Sequence, residues 1–242
     1  MASCFLEPKD DEYVFDHSKI ILRGPNDEYF YATTEEPMYK SSSIDLDKLE
    51  IFPISSDIWP RYSPHLSLAP NPPPPNSYVK KPNFVNYDEN TSPQKIGDLI
   101  LQEADICEIL KKHPHPNVAT YMGCVVQDDK IKGLCFARYA KTLSERLEMK
   151  TPFDKQRCLE EIESGIRHLH SLGLVHNDIN PANIMLDDAD RAVIIDFDSC
   201  QHEGEELGKK AGAISWSIED ATHARHENDF FGVSKLKEHL QL

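Results

Sequence analysis

The chain has 242 residues, enough for a sizeable core and one or two domains, and its 39% hydrophobic and 28% charged residues are the balance of a folded globular protein. A net charge of −15 argues against general nucleic-acid binding, which needs a basic footprint; it suits a basic peptide substrate, though such acidity more often just maintains solubility. There is no apolar run of about 18 residues to span a membrane, and the start, MASCFLEPKD, has neither the basic region nor the apolar core of a signal peptide, so a cytoplasmic or nuclear location is expected.

Residues 1 to about 18 are acidic and are expected to fray. Lys19–Arg23 and Glu28–Ala32 flank a Gly-Pro-Asn-Asp turn and predict a hairpin of two short strands. Residues 33 to 50 are polar without strong periodicity. From Pro53 to Asn76 the chain is rich in proline, continuous from Pro72 to Pro75, which predicts an extended or mobile spacer more than a ligand for a proline-binding domain. Ser77–Lys81 resumes a strand pattern.

Between Lys95 and Lys112, Ile96, Leu99, Ile100, Ile106, Cys107 and Leu110 recur at helical spacing and predict an amphipathic helix. Glu103 falls inside that apolar stripe, whereas Glu108 points away from it. A carboxylate on a buried stripe needs a cationic partner, because an unpaired buried charge is expensive. After the turn at His113–Asn117 come two strands, Val118–Val126 and Ile131–Ala137, joined by Gln-Asp-Asp-Lys. A short helix is predicted over Thr142–Met149. A longer one over Phe153–Leu172 carries Leu159, Ile162, Ile166 and Leu169 on one face and ends at Gly173. The six cysteines lack any Cys-x-x-Cys pair, and most of them lie among apolar residues as reduced core thiols.

The most informative stretch follows. His176-Asn177-Asp178-Ile179-Asn180-Pro181-Ala182-Asn183 is followed, thirteen positions after Asn183, by Asp196-Phe197-Asp198. Between them, Ile184–Leu186 and Val193–Ile195 flank the polar turn Asp187–Arg191 and predict a hairpin that brings Asn183 near Asp196. A carboxylate and an amide oxygen are hard ligands of the kind magnesium takes alongside phosphate oxygens. Asp178 then has the place of a group that orients a substrate hydroxyl.

These two segments resemble the catalytic and metal loops of the protein-kinase superfamily, His-Arg-Asp-x-x-x-x-Asn and Asp-Phe-Gly. The resemblance implies an α+β, two-lobe kinase-like fold with a small β-rich N-lobe and a mainly helical, truncated C-lobe. It divides the chain into an N-terminal extension at 1–76 and a kinase-like domain at 77–242, with the N-lobe at 77–139 and the C-lobe at 140–242. By the same resemblance Asp178 is the catalytic acid, and Asn183 with Asp196 holds magnesium. Lys80, or Lys81 beside it, is the ATP-positioning lysine, and Glu103 is its ion-pair partner. Phe136, Ala137 and Tyr139 belong to the gatekeeper and hinge that hold adenine. Gly212–Trp216 resembles the end of an activation loop, and Asp229 resembles the aspartate that clamps the catalytic loop.

The implied function is ATP- and magnesium-dependent transfer of a phosphoryl group to a hydroxyl, on a protein Ser or Thr or on the chain itself. One missing motif and three positions depart from the pattern: no Gly-x-Gly-x-x-Gly precedes Lys80, Asn177 stands for an arginine, Asn180 for a lysine, and Asp198 for a glycine. They leave two alternatives on the same fold, a pseudokinase scaffold that binds nucleotide and a small-molecule phosphotransferase.

Overall fold

The computed structural model describes residues 2–9, 12–25, 27–38, 45–85, 87, 90–207 and 215–242. They form two compact units, Met1–Pro60 with Pro82–Asp98, and Arg61–Lys81 with Leu99–Leu242.

The first unit is built on a four-stranded antiparallel sheet of β1 (Ala2–Lys9), β2 (Glu12–Arg23), β3 (Tyr29–Thr34) and β4 (Phe52–Pro53), in that order. The predicted hairpin is the β2–β3 pair, with Arg23 opposite Tyr29. Within the stretch expected to fray, residues 2–9 and 12–18 are ordered. They pair as β1 and β2, and a cross-strand stack of Phe5 on His17 at 4.7 Å supplies the side-chain contact that an acidic composition conceals. An aromatic cluster of Tyr29, Trp59 and Phe84 fills the unit and holds the segment that follows Pro82.

The second unit contains both loop motifs. Its sheet has the order β5-β7-β6, from β5 (Ser77–Lys80), β6 (Tyr121–Gln127) and β7 (Lys130–Ala137), with α1 (Pro93–Lys112) between β5 and β6 in the chain. Asp128 and Asp129 make the β6–β7 turn with φ of 51° and 59°, the left-handed pair that a two-residue hairpin turn needs. Then come β8 (Lys141–Thr142), α2 (Leu143–Glu148) and α3 (Lys155–Ser171). Thr142 and Glu145 close a capping box on α2, and Asp154 caps α3 by accepting from the Arg157 N–H. α3 buries Leu159, Ile162, Ile166 and Leu169, the predicted stripe, and Gly173 follows it at φ 72°.

The short β9 (Leu174–Val175) leads into the catalytic-loop motif. β10 (Ile184–Leu186) and β11 (Ala192–Ile194) form the predicted hairpin, with β8 on the other side of β10. β12 (Gln201–His202) pairs with β9, and α4 (His226–Leu240) completes the unit. The chain is thus α+β, with a β-rich part followed by a mainly helical one.

The proline-rich stretch is not a mobile spacer. Arg61–Asn76 belongs to the second unit, where Leu68 bridges Cys124 in parallel register and the backbone of Ser67 and Ala69 bonds that of Cys124. Its backbone groups find partners on the outer edge of β6, which composition alone does not reveal. Gly123 permits this approach: at φ +139° it lies so close that a Cβ would sit 2.4 Å from the Leu68 carbonyl carbon.

Candidate functional site

Asp178 is held by the loop that carries it. The Asn180 side-chain amide donates to one carboxylate oxygen at 2.9 Å, and the Asn183 amide donates to the other at 2.7 Å. Both amides also reach the Asp178 carbonyl. Asn180 Oδ1 accepts from the Ala182 N–H, so Asn180 is fixed at both ends and its amide direction is settled. The residue that departs from the family's lysine therefore orients the acid.

The loop is clamped from beneath. Asp229, fully buried in the first turn of α4, accepts from the backbone N–H of His176 at 3.0 Å and of Asn177 at 2.8 Å, and pairs with His170 at 2.8 Å. His176 Nδ1 accepts from the Asp178 N–H, so Nε2 bears the hydrogen donated to the Ile195 carbonyl. This role is structural, linking the catalytic loop to the strand end before Asp196. Asn177 adopts φ 64°, which asparagine tolerates, and its amide donates to the carbonyls of Val175 and Ser199 while accepting from Asn228. Gly232 lets α4 approach the loop: a Cβ there would lie 2.6 Å from the Ile179 carbonyl oxygen.

Asn183 and Asp196 stand at the open end of the β10–β11 hairpin. Ile184 faces Ile194, and the next backbone bond runs from the Ile195 N–H to the Asn183 carbonyl at 3.0 Å. The hairpin turn is itself pinned, because buried Arg146 forks onto Asp190 through Nε and Nη2 and also bonds Thr151 and Pro152. Nothing in the sequence singles out Arg146, since its partner lies in another element.

The lysine that reaches these acids is Lys80. Its Nζ lies 2.6 Å from Glu103 Oε1 and 2.5 Å from Asp196 Oδ1. Burial alone would pull this ammonium down, but Glu103, Asp196 and Asp198 hold it well above its ordinary value. Burial pushes the Glu103 carboxyl up, and Lys80 opposes that push. Three carboxylates around one ammonium favour its charged form. Gly133 brings β7 close to β5 here, since a Cβ would sit 2.7 Å from the Lys80 carbonyl oxygen.

A cleft of about 440 Å³ opens beside this cluster, within the range that small-molecule sites occupy. Lys80 and Asp196 line one side; Phe136, Ala137 and Tyr139 line another, with Met185 and Ile195 adding apolar surface. All three hinge candidates thus meet the lysine and the metal-loop aspartate in one cavity. Glu103 sits behind Lys80 rather than in the wall. Among the described residues, no group of three or more His, Cys, Asp or Glu converges as a protein-only metal cage. A carboxylate and an amide oxygen at one hairpin end fit a magnesium ion completed by water and phosphate.

Residues 212–214 of the predicted activation-loop end lie outside the described residues; Trp216 packs edge-on to His239 of α4 at 5.7 Å. His170 and Asn228, which complete the Asp229 and Asn177 contacts, are functional-site residues that the motif reading passed over.

Comparison with known proteins agrees with this geometry. The chain is 30% identical over 149 residues to the MAP kinase kinase kinase SSK2 of Saccharomyces cerevisiae, covering 57% of the chain and 9% of that protein. It is 30% identical over 158 residues to the serine/threonine-protein kinase/endoribonuclease IRE1 of Hypocrea jecorina, covering 57% of the chain and 12% of that protein. The mitogen-activated protein kinase kinase kinase ANP1 of Arabidopsis thaliana is 30% identical over 111 residues, 45% of the chain and 16% of that protein. The chain therefore spans only a small part of the length of these relatives. A family model described as protein kinase domain matches residues 79–216, more than half of the sequence, and the chain belongs to that family.

Proposed function

We propose that the chain is an ATP- and magnesium-dependent phosphotransferase acting as a protein Ser/Thr kinase, with 77–242 as its kinase-like domain and 1–76 as an extension. The observation that carries this reading is the ion cluster of Lys80, Glu103 and Asp196 on the wall of a cleft that the hinge residues also line. Adenine fits against Phe136, Ala137 and Tyr139. Lys80, kept cationic by Glu103, attracts the α- and β-phosphates. Asn183 and Asp196 would hold magnesium, which would supply charge neutralisation on the phosphates.

Asp178, with its carboxylate fixed by the amides of Asn180 and Asn183, orients the hydroxyl of the substrate and takes its proton. The hydroxyl oxygen bonds to the γ-phosphorus as the bond to the β–γ bridging oxygen breaks, and ADP leaves with that electron pair. Asn180 offers the moving phosphoryl group no cation, so turnover is slower than a lysine at that position would allow. A protein hydroxyl is the acceptor, the chain itself being the simplest case, and the net charge of −15 favours a basic sequence around it.

The test is transfer of labelled γ-phosphate with magnesium. Asp178→Asn lowers the rate by about a thousandfold, the size of effect expected for loss of a general base. Undiminished transfer by Asp178→Asn refutes the assignment. Two further readings rest on particular residues. Asn180 in place of lysine, together with the absence of a glycine-rich motif before Lys80, favours a pseudokinase. That protein would show a magnesium-dependent rise in melting temperature with ATP and no transfer. Asn180 and Asp198 together favour a small-molecule acceptor, which a metabolite screen would identify.

A further inference from the structure

The Arg61–Asn76 segment touches the structure at five places, and one of them is a buried carboxylate on α1. The Tyr62 N–H donates to the Asp129 carbonyl at the β6–β7 turn. Ser67 and Ala69 then bond Cys124 on the edge of β6, at 2.7 and 2.9 Å. Between those contacts, Ser67 turns both its N–H and its hydroxyl onto Glu108, at 2.7 and 2.9 Å. At the far end the Arg138 N–H donates to the Asn76 carbonyl, and Arg138 Nε to that of Ser77.

Glu108 was expected to point away from the apolar stripe. It is 9% exposed, because the segment covers that face. A carboxylate so placed requires donors, and Ser67 supplies two to its two oxygens. Glu108 lies five residues beyond Glu103, about 140° around the helix. α1 is thus gripped on two sides, by Lys80 through Glu103 and by Ser67 through Glu108. A second, exposed contact joins His65 to Asp105 on the same helix at 3.0 Å. The run of prolines from Pro72 restricts the chain between the α1 contacts and the hinge, so the segment holds its course at low entropic cost.

We propose that Arg61–Asn76 is a strap that sets the position of α1, and that Ser67 and Glu108 are positioning residues for the Lys80–Glu103 pair. The strap ties the helix that carries Glu103 to the hinge that lines the cleft. Releasing it lets α1 turn or slide, and Lys80 then loses the carboxylate that points it into the cleft. The consequence falls on phosphate binding, since the base-binding wall is made by β7 and the hinge.

This inference rests on the nucleotide reading of the cleft, and the experiment separates the two. Ser67→Asp sets a carboxylate against Glu108 and removes the hydroxyl donor. Ser67→Asp with Glu108→Gln restores a donor–acceptor pair without the repulsion. Two measurements are made on the full chain: amide hydrogen exchange over Leu99–Lys112 without ligand, and affinities for magnesium-ATP and for adenosine. Ser67→Asp raises exchange in α1 and weakens magnesium-ATP about tenfold, as expected for the loss of one charge-assisted contact to phosphate. Adenosine affinity is unchanged, and the double variant restores both properties. The strap is refuted if Ser67→Asp matches wild type in exchange and ATP affinity, if it weakens adenosine equally, or if the double variant restores nothing. Should wild type bind neither ligand, the nucleotide reading fails, and exchange in α1 alone decides the strap.

Discussion

The two walls of the site are held in different ways. Beneath the cleft, Asp178, Asn180 and Asn183 bind one another within six residues of chain, and a fully buried Asp229 fastens the loop to α4. Above it, Lys80 and Glu103 meet across 23 residues, and the helix bearing Glu103 is braced by Ser67, 41 residues away from Glu108 in sequence. The lower wall is set by short-range geometry and the upper wall by long-range contacts. Asp178 is thus held by its own loop, and the Lys80–Glu103 pair by contacts from outside that motif.

Breaking the lower wall gives the largest effect. Asp229→Ala removes a buried acceptor of two backbone N–H groups and the partner of His170, which costs about 4 kcal/mol. The melting temperature falls by roughly 10 °C, and a scan against denaturant or heat measures it. Gly232→Ala sharpens the comparison. Its Cβ meets the Ile179 carbonyl oxygen at 2.6 Å, overpacking the loop beside Asp178 at a cost of about 2 kcal/mol. In steady-state assays its turnover number drops while KM for ATP holds, because only the lower wall moves. The smallest effect belongs to the upper wall. Ser67→Ala deletes one of the two bonds to Glu108 and leaves the backbone donor, lowering stability by about 1 kcal/mol in chemical unfolding.

The same contrast explains what could be read from sequence. The lower wall was legible because its groups are neighbours in the chain. The spacing of Asp178, Asn183 and Asp196 already implied a loop and a hairpin, and α3 announced itself by Leu159, Ile162, Ile166 and Leu169. Glu103 stood out as a charge on an apolar stripe. Glu108 did not, since helical periodicity reports the face toward the core and is silent about a face covered by a strap. The strap looked like a spacer because its order comes from backbone pairing with Cys124, and backbone hydrogen bonds leave no trace in side-chain pattern. The first 18 residues misled for a similar reason, as β1 gains its partner from cross-strand contacts rather than from its own composition. His170, Arg146 and Asn228 went unnoticed because each acts through a residue in a distant element.

The central claim is that Asp196, Asn183 and Lys80 serve one nucleotide–metal site. Calorimetric titration of ATP with and without magnesium tests it most directly. Magnesium is predicted to tighten ATP binding to the wild-type chain by about tenfold or more, and Asp196→Asn is predicted to abolish that gain. Equal ATP affinity with and without magnesium, or a full magnesium effect in Asp196→Asn, would contradict it.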